Sequence, residues 1–389
     1  MTTLLAAIIL LGVIIFIHEL GHYLAARSIG VKVERFSIGY PPRLITLTSV
    51  PNGWEFRFFF YKKNNEGRLK WSTINTIKFS RPGRKGTGTE YCLAVVPFGG
   101  YVKVAGVMDE SMDTTFEHKP YELMSKPKWQ QIWFMSAGVI MNTVLAFIIF
   151  TGLYNYTGKP VISKNPVIHE IIPDLPAFKA GLKSGDIIKS IEGKSIDTWN
   201  DITVEIYPRP NQEIDLTFIR DGQLNSLNLI TSFQVNPETG DTLGAIGVRQ
   251  EFKYLPTSFI ESMQMGATAT VRGFGIIILS IRMLTSGQAS IKELGGPIMI
   301  AQLAGETAKA GWIPFLSLMA LISCNLAFIN ILPIPGLDGG HIFITLIEGI
   351  IRRPLTMKMR MAIQQIGMVL LLMLIVTVMV NDIGRLFSN

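Results

Sequence analysis

Four long stretches of the chain carry only apolar and neutral residues, and each approaches or exceeds the roughly 20 residues that an α-helix needs to cross a bilayer. In chain order, these uncharged runs are residues 1–17, 129–158, 310–337 and 361–381. The pattern predicts a polytopic α-helical membrane protein with four transmembrane helices. We place these helices at residues 1–27, 128–156, 310–350 and 361–383.

The first apolar run ends in ionisable residues, where the sequence reads His18-Glu19-Leu20-Gly21-His22. A charged group in a membrane helix is costly, so it usually faces a metal, water or protein. Helical residues four apart share one face, so both imidazoles can bind one ion while Glu19 reaches the reacting water. This H-E-x-x-H spacing predicts a zinc centre with Glu19 as general base, although so short a motif also occurs by chance.

An open zinc site of this type needs a third protein ligand. Asp338 is the best candidate, because it follows the third apolar run and comes just after Pro333 and Pro335, which prevent a regular helix from continuing. Unwound backbone and a carboxylate at membrane depth are expected only beside a cavity or inside protein. His341 is a rival ligand, but it is more simply a polar residue near a helix start. Two imidazoles and one carboxylate suit Zn²⁺, and they also bind other divalent ions.

Charge is distributed unevenly along the 389 residues, of which 48% are hydrophobic and 17% charged, with a net charge of +7. Between Arg27 and Lys128 there are 17 basic and 9 acidic residues, whereas between Lys159 and Lys309 there are 14 basic and 16 acidic. Lys and Arg accumulate on the cytoplasmic side of membranes. Segment 28–127 should therefore be cytoplasmic or membrane re-entrant, with both termini outside. This topology brings the three candidate ligands to the cytoplasmic side and explains the positive charge without a nucleic-acid partner.

Residues 160–252 are predicted to form one inserted PDZ domain outside the membrane. The stretch "AGLKSGDIIKSIEGK" is the most specific part of this similarity. A short helix is expected around Pro176 to Ala180, another helix at "WNDITVEIY", and a hairpin with its turn at Asp221-Gly222. A PDZ groove binds an extended peptide or a C-terminus. The alternative is an unrelated small β-domain.

The segment after this domain, residues 256–309, is apolar but contains Arg272 and Arg282. We predict an amphipathic helix on the outer membrane surface there, because a fifth span would reverse the orientation of Asp338 relative to His18. The remaining histidines, His118 and His169, lie in soluble segments and are expected to have structural or surface roles.

The motifs at His18 to His22 and Asn330 to His341 resemble the two signatures of the site-2 protease family of intramembrane zinc metalloproteases. The PDZ-like insert and "GTEYCLAVVPFGGYVKV" resemble its bacterial RseP-type branch, whose members cleave membrane-bound anti-sigma factors and signal-peptide remnants. The resemblance implies a Zn²⁺-dependent metalloendopeptidase of the bacterial inner membrane. Its substrates would be single-span membrane proteins within the lipid bilayer.

The resemblance also assigns roles to individual residues. The metal ligands would be His18, His22 and Asp338, and the general base Glu19. Asn330, and more weakly Asn325, would hold the substrate or the oxyanion, unless these amides only support helix packing. Gly99, Gly100 and Tyr101 would belong to a membrane-dipping β-loop that presents a strand edge to the substrate, where the simpler reading is a surface hairpin.

The chain departs from the family pattern in two respects. Val139 stands where a proline is usual, and one PDZ domain is predicted where the best-studied relatives carry two in tandem. Two other functions stay open at this point. A metal transporter should spread its ligands over several spans, whereas here they cluster at one depth. A PDZ-bearing scaffold or an inactive protease relative would have no use for the intact set of ligands and base.

Overall fold

The computed structural model describes residues 2–63, 69–106, 119–235, 242–250, 252–290 and 295–388. Its helices are α1 (Thr2–Ser28), α2 (Lys128–Thr157), α3 (Pro176–Lys179), α4 (Trp199–Ile206), α5 (Phe259–Thr285), α6 (Pro297–Ala310), α7 (Trp312–Ile331), α8 (Asp338–Ile351) and α9 (Met357–Ser388). A short 3₁₀ turn occupies Leu123–Ser125. The chain divides into two compact units, residues 1–153 with 263–389, and residues 154–262.

The strands fall into the same two units. Those of the first are β1 (Val33–Val50), β2 (Gly53–Lys63), β3 (Leu69–Ser80) and β4 (Glu90–Val104). Those of the second are β5 (Lys159–Ile162), β6 (Ile168–Ile171), β7 (Ile187–Ile191), β8 (Lys194–Ser195), β9 (Glu213–Arg220), β10 (Gln223–Ile230), β11 (Ser232–Val235), β12 (Thr242–Ala245), β13 (Val248–Gln250) and β14 (Phe252–Leu255).

Five of the described helices are long and apolar enough to cross a membrane, which is one more than predicted. They are Thr2–Ser28, Lys128–Thr157, Phe259–Thr285, Trp312–Ile331 and Lys358–Arg385. The membrane character of the chain is therefore confirmed, but the count of four spans is not. The additional candidate is α5, for which we predicted a helix on the membrane surface.

Helix α5 lies along α7. The Sγ atom of Cys324 is 3.9 Å from the carbonyl oxygen of Thr270, and one turn further the rings of Phe274 and Phe328 are 6.4 Å apart. Because a step of four residues along α5 matches a step of four along α7, the two helices run in the same direction. The number of spans stays a prediction, since length and apolarity alone do not place a helix in the bilayer.

The predicted third span contains two helices. α7 ends at Ile331 and α8 begins at Asp338, with Pro333 and Pro335 in the non-helical segment between them. Proline lacks an N–H donor and cannot continue the hydrogen-bond pattern of a helix. Gly336 takes φ +96° in this segment, a backbone conformation that favours glycine. The turn places Asp338 in the first turn of a new helix.

The first unit also contains a twisted antiparallel sheet with strand order β3-β2-β1-β4. β4 folds back so that its second half, residues 100–104, pairs with residues 33–38 of β1. The sheet packs on α1 through Phe36, whose ring is 5.8 Å from that of Phe16 and 5.4 Å from that of Tyr23. This packing brings the end of β4 to the C-terminal half of α1, where the H-E-x-x-H motif lies.

The second unit is a small β-domain whose core contains Ile168, Ile188, Ile191 and Leu216. Its main sheet has the order β10-β9-β7-β8. The predicted hairpin is confirmed, since β9 and β10 are joined by Asp221 and Gly222, both with positive φ. The two helices predicted in this segment are confirmed as α3 and α4.

Candidate metal centre

The structure brings the three predicted ligands together. Nε2 of His18 and Nε2 of His22 are 3.2 Å apart, and they lie 3.2 and 3.3 Å from Oδ2 of Asp338. Among the described residues these are the ones that form a group able to hold a metal ion. The i, i+4 spacing on α1 aligns the two imidazoles, and the turn between α7 and α8 supplies the carboxylate.

The geometry of the cluster fits a tetrahedral zinc ion. Ligands at about 2.0–2.1 Å from a tetrahedral ion are about 3.3–3.4 Å from each other, which is close to all three distances in the cluster. In addition, Oδ2 of Asp338 is buried, and apart from the two imidazole nitrogens it has no partner in the described part of the chain. A buried carboxylate oxygen is costly unless it is paired or coordinates a metal. These residues therefore suit Zn²⁺, and their role as ligands stays a prediction.

A backbone carbonyl on α2 fixes the orientation of one ligand. Nδ1 of His22 lies 2.9 Å from the carbonyl oxygen of Phe134. A carbonyl can only accept, so Nδ1 carries the proton and Nε2 is left with its lone pair directed at the cluster. Zinc-binding histidines commonly donate a hydrogen bond from the other ring nitrogen in this way, which fixes the orientation of the ring.

Two glycines allow α1 and α2 to approach each other closely around the imidazoles. A Cβ atom on Gly138 would lie 2.5 Å from Cε1 of His18 and 2.6 Å from Nε2 of His22. A Cβ atom on Gly21 would lie 2.4 Å from the carbonyl oxygen of Ala137. Small residues at such contacts let helix backbones pack closely in membranes. α1 and α2 can therefore pack around the two imidazoles only because neither position carries a side chain.

Glu19 and the end of β4 share a cavity of about 310 Å³ with the three candidate ligands. Tyr101, Val102 and Val104 contribute to its wall. The position of a Cβ atom on Gly100 is 3.4 Å from Cγ of Glu19 and 2.7 Å from the carbonyl oxygen of Ser37. The narrow contact at Gly100 places the outermost strand of the sheet directly beside the predicted base.

The other two residues of the predicted β-loop contact the sheet. Gly99 has φ +147°, and a Cβ atom there would lie 2.1 Å from the ring of Tyr40. The ring of Tyr101 stacks on that of Tyr40 at 6.4 Å, and its hydroxyl accepts a hydrogen bond from Arg35 at 3.1 Å. The backbone at Gly99 and Gly100 thus needs glycine, and the Tyr101 side chain is held against β1.

The two predicted asparagines lie in different environments. Asn330 is buried, and its Nδ2 is 3.4 Å from Nε2 of His18. Asn325 lies five residues earlier on α7, and neither asparagine is among the residues that line the described cavity. Of the other histidines, His341 lines the cavity but does not belong to the ligand cluster, and His169 is exposed on β6. His118 falls outside the described residues.

An ionic contact near the cavity was missed by sequence reasoning. The fully buried carboxylate of Glu348, on α8, accepts hydrogen bonds from Lys128, from Arg360 and from the backbone N–H of Leu355. Arg360 and Gln364, on α9, form part of the cavity wall. The signal was available, because Glu348 is an isolated charge in the apolar stretch "HIFITLIEGII". Its partners could not be identified without the fold.

Comparison with known proteins gives a match along most of the chain. The family model for peptidase family M50 matches residues 6–63 and 74–374. The regulator of sigma-W protease RasP of Bacillus subtilis is 29% identical over 425 residues, covering 99% of each chain. The zinc metalloprotease RasP of Bacillus licheniformis is 28% identical over 466 residues, covering 100% of each.

A solved structure matches about a quarter of the chain. The PDZ domain of the SdrC-like protein from Listeria monocytogenes is 14% identical and covers 23% of this chain and 90% of that chain, with a TM-score of 0.20. The PDZ assignment of residues 160–252 therefore rests on the sequence pattern and stays a prediction.

Proposed function

The chain belongs to peptidase family M50 and is a zinc metalloprotease, and from this premise we propose that it hydrolyses a peptide bond within or near the transmembrane segment of single-span membrane proteins. The observation that carries the proposal is the position of the candidate metal centre. His18, His22 and Asp338 lie on helices of a predominantly apolar unit, and they face a cavity that also contains Glu19. Such ionisable residues at membrane depth mark functional sites.

The residues of the cavity can be given separate roles. When bound by His18, His22 and Asp338, Zn²⁺ supplies Lewis-acid polarisation and a more acidic water. The carboxylate of Glu19 takes the proton from the attacking water and returns it to the leaving amine. To the amide of Asn330, whose Nδ2 lies 3.4 Å from Nε2 of His18, we assign the role of orienting the scissile carbonyl through its N–H donors.

A substrate helix must be unwound before its backbone can be hydrolysed, because its amides are bonded internally. Residues 100–104 of β4 pair with β1 on one side and line the cavity with Tyr101, Val102 and Val104. An unwound substrate segment could add to this strand through backbone hydrogen bonds. We therefore expect substrates with helix-breaking or small residues near the scissile bond to be cleaved best.

The bacterial relatives support a location in the bacterial inner membrane, and the charge pattern supports an orientation there. The excess of basic residues between Arg27 and Lys128 favours a cytoplasmic position for that segment. With four spans, both termini and the PDZ-like insert would then lie outside, and water would reach the metal from the cytoplasmic side. The insert would bind an extended peptide or C-terminus and so influence which membrane proteins reach the cavity.

Reconstituted cleavage tests this proposal. The purified full-length protein is placed in proteoliposomes with two single-span substrates, one containing a Gly-Pro pair in its transmembrane segment and one with a continuous leucine segment. We expect mass spectrometry to find cleavage within or next to the first segment, with much slower cleavage of the second. Cleavage confined to soluble, unfolded polypeptides would contradict the intramembrane assignment while leaving the metalloprotease intact.

A further inference from the structure

A buried side-chain amide lies beside the imidazole of His18 in the candidate centre. Asn142, on α2, is completely buried, and its Nδ2 lies 3.4 Å from Nδ1 of His18. Its Oδ1 is also buried and has no hydrogen-bond partner within the described residues. A buried acceptor without a donor costs free energy, so this side chain calls for an explanation.

The chemistry of a ligating imidazole supplies one. Nε2 of His18 faces His22 and Asp338 at 3.2 Å. If Nε2 gives its lone pair to a metal, the proton of a neutral ring is on Nδ1, which then needs an acceptor. The atom assigned beside it is an amide nitrogen, and two donors facing each other do not form a hydrogen bond.

Rotation of the amide by about 180° resolves the conflict at His18. The O and N atoms of an asparagine side chain have nearly the same shape, and their assignment depends on the hydrogen-bond network. After rotation, the carbonyl oxygen of Asn142 takes the place beside Nδ1 of His18. The oxygen without a partner becomes the acceptor that the ligand requires.

We propose that Asn142 is a positioning residue of the metal centre, whose side-chain oxygen accepts a hydrogen bond from Nδ1–H of His18 and directs Nε2 at the metal. It would do for His18 what the carbonyl oxygen of Phe134, 2.9 Å away, does for His22. Both acceptors come from α2, two turns apart, so one helix would hold both imidazoles. This inference rests on the metal centre of the proposed function but not on any particular substrate.

A second contact of Asn142 provides the matched control. The backbone oxygen of Asn142 accepts a 2.8 Å hydrogen bond from the hydroxyl of Ser323, which ties α2 to α7 at the same level. Ser323→Ala removes this interhelical contact but leaves the side chain behind His18 unchanged. It therefore separates loss of packing from loss of the acceptor.

The test measures zinc affinity of the full-length protein in detergent, by competition with a chromophoric chelator. Asn142→Leu keeps the size of the side chain but has no acceptor, whereas Asn142→Asp keeps an oxygen in the same place. Losing such a partner typically weakens metal binding 10–100-fold. We expect a loss of about that size for Asn142→Leu, and affinity within about threefold of wild type for Asn142→Asp and Ser323→Ala. The visible spectrum of the Co²⁺-loaded protein should change only in Asn142→Leu.

The outcomes are distinguishable. Wild-type affinity in Asn142→Leu would overturn the inference, as would an equal loss in Asn142→Leu and Asn142→Asp. An equal loss in Ser323→Ala would assign the effect to packing and would also overturn it. If Asn142→Leu does not fold, the comparison of Asn142→Asp with Asn142→Ser, whose shorter hydroxyl cannot reach as far, decides instead. A wild-type protein that binds no zinc would refute the metal centre itself.

Discussion

Gly138 is the position where the smallest change should disturb the candidate metal centre most. A Cβ atom there would lie 2.5 Å from Cε1 of His18, 2.6 Å from Nε2 of His22 and 2.7 Å from Nδ1 of His18. Real Cβ atoms essentially never approach another heavy atom closer than 3.0 Å. Gly138→Ala therefore forces both imidazoles, or the whole of α2, to move by about 0.4–0.5 Å or more, the difference between the two distances.

The metal should respond strongly to this displacement. Metal–ligand distances are normally held within about 0.2 Å, so a shift of this size exceeds what the site tolerates. Changes that merely disturb the support of a ligand already cost 10–100-fold in affinity, and we expect Gly138→Ala to lower zinc affinity by at least about that factor. Overpacking should also cost about 1–3 kcal/mol, partly offset by the roughly 1 kcal/mol by which alanine favours a helix over glycine.

Gly152 provides the matched control for the assay. It lies on the same helix, and nothing is within 4 Å of the position of its Cβ atom. Gly152→Ala should keep wild-type zinc affinity and raise the melting temperature slightly. Zinc affinity is measured by chelator competition, and stability by thermal unfolding of the detergent-solubilised protein. If Gly138→Ala binds zinc as tightly as Gly152→Ala, the close packing of α2 against the two imidazoles is refuted.

Three further predictions concern charged residues that are not metal ligands. The Asp186 carboxylate, 1% exposed, accepts two hydrogen bonds from Arg220, so Asp186→Ala removes a buried acceptor and should destabilise the insert, seen as faster proteolysis of that segment. Hydrogen bonds from Thr198 hold the pKa of Asp201 below its usual range. The contribution of the Asp201 carboxylate to stability should therefore be present above about pH 4 and lost as the pH falls through the lower pKa of the folded state. Unchanged acid unfolding in Asp201→Asn would contradict this pH dependence. Glu348→Ala leaves the side chains of Lys128 and Arg360 without their carboxylate partner, so the rate of amide hydrogen exchange at the start of α9 should rise. Unchanged protection there would show that the contact does not stabilise this helix.

Some of the arrangement follows from the sequence because local chemistry determines it. The four-residue spacing of His18 and His22 requires a shared helix face, and the prolines before Asp338 require a break in the apolar run. The turn at Asp221-Gly222 likewise follows from the need for positive φ in a two-residue hairpin. In each case a local feature of the sequence, either the spacing of two residues on a helix or the residue types at a break or turn, leaves few possible arrangements.

Other features depend on contacts between distant segments and could not be predicted. The carbonyl oxygen of Phe134 can act from any residue type, so no sequence signal marks it as the support of His22. Helix α5 has two arginines in 27 mostly apolar residues, which suits a helix on the membrane surface as well as one that spans the membrane, and its contacts with α7 join residues far apart in the chain. The partners of Glu348 come from two helices far apart in the chain.

The most direct test of the central claim measures zinc content and cleavage in the same preparations of four proteins: wild type, Glu19→Gln, His22→Phe and Asp338→Asn. The account predicts about one zinc per chain in wild type and Glu19→Gln, with cleavage of a single-span substrate by wild type alone. His22→Phe and Asp338→Asn should lose both zinc and activity. Normal turnover by Glu19→Gln, or full zinc in Asp338→Asn, would contradict the assignment of the base or of the third ligand.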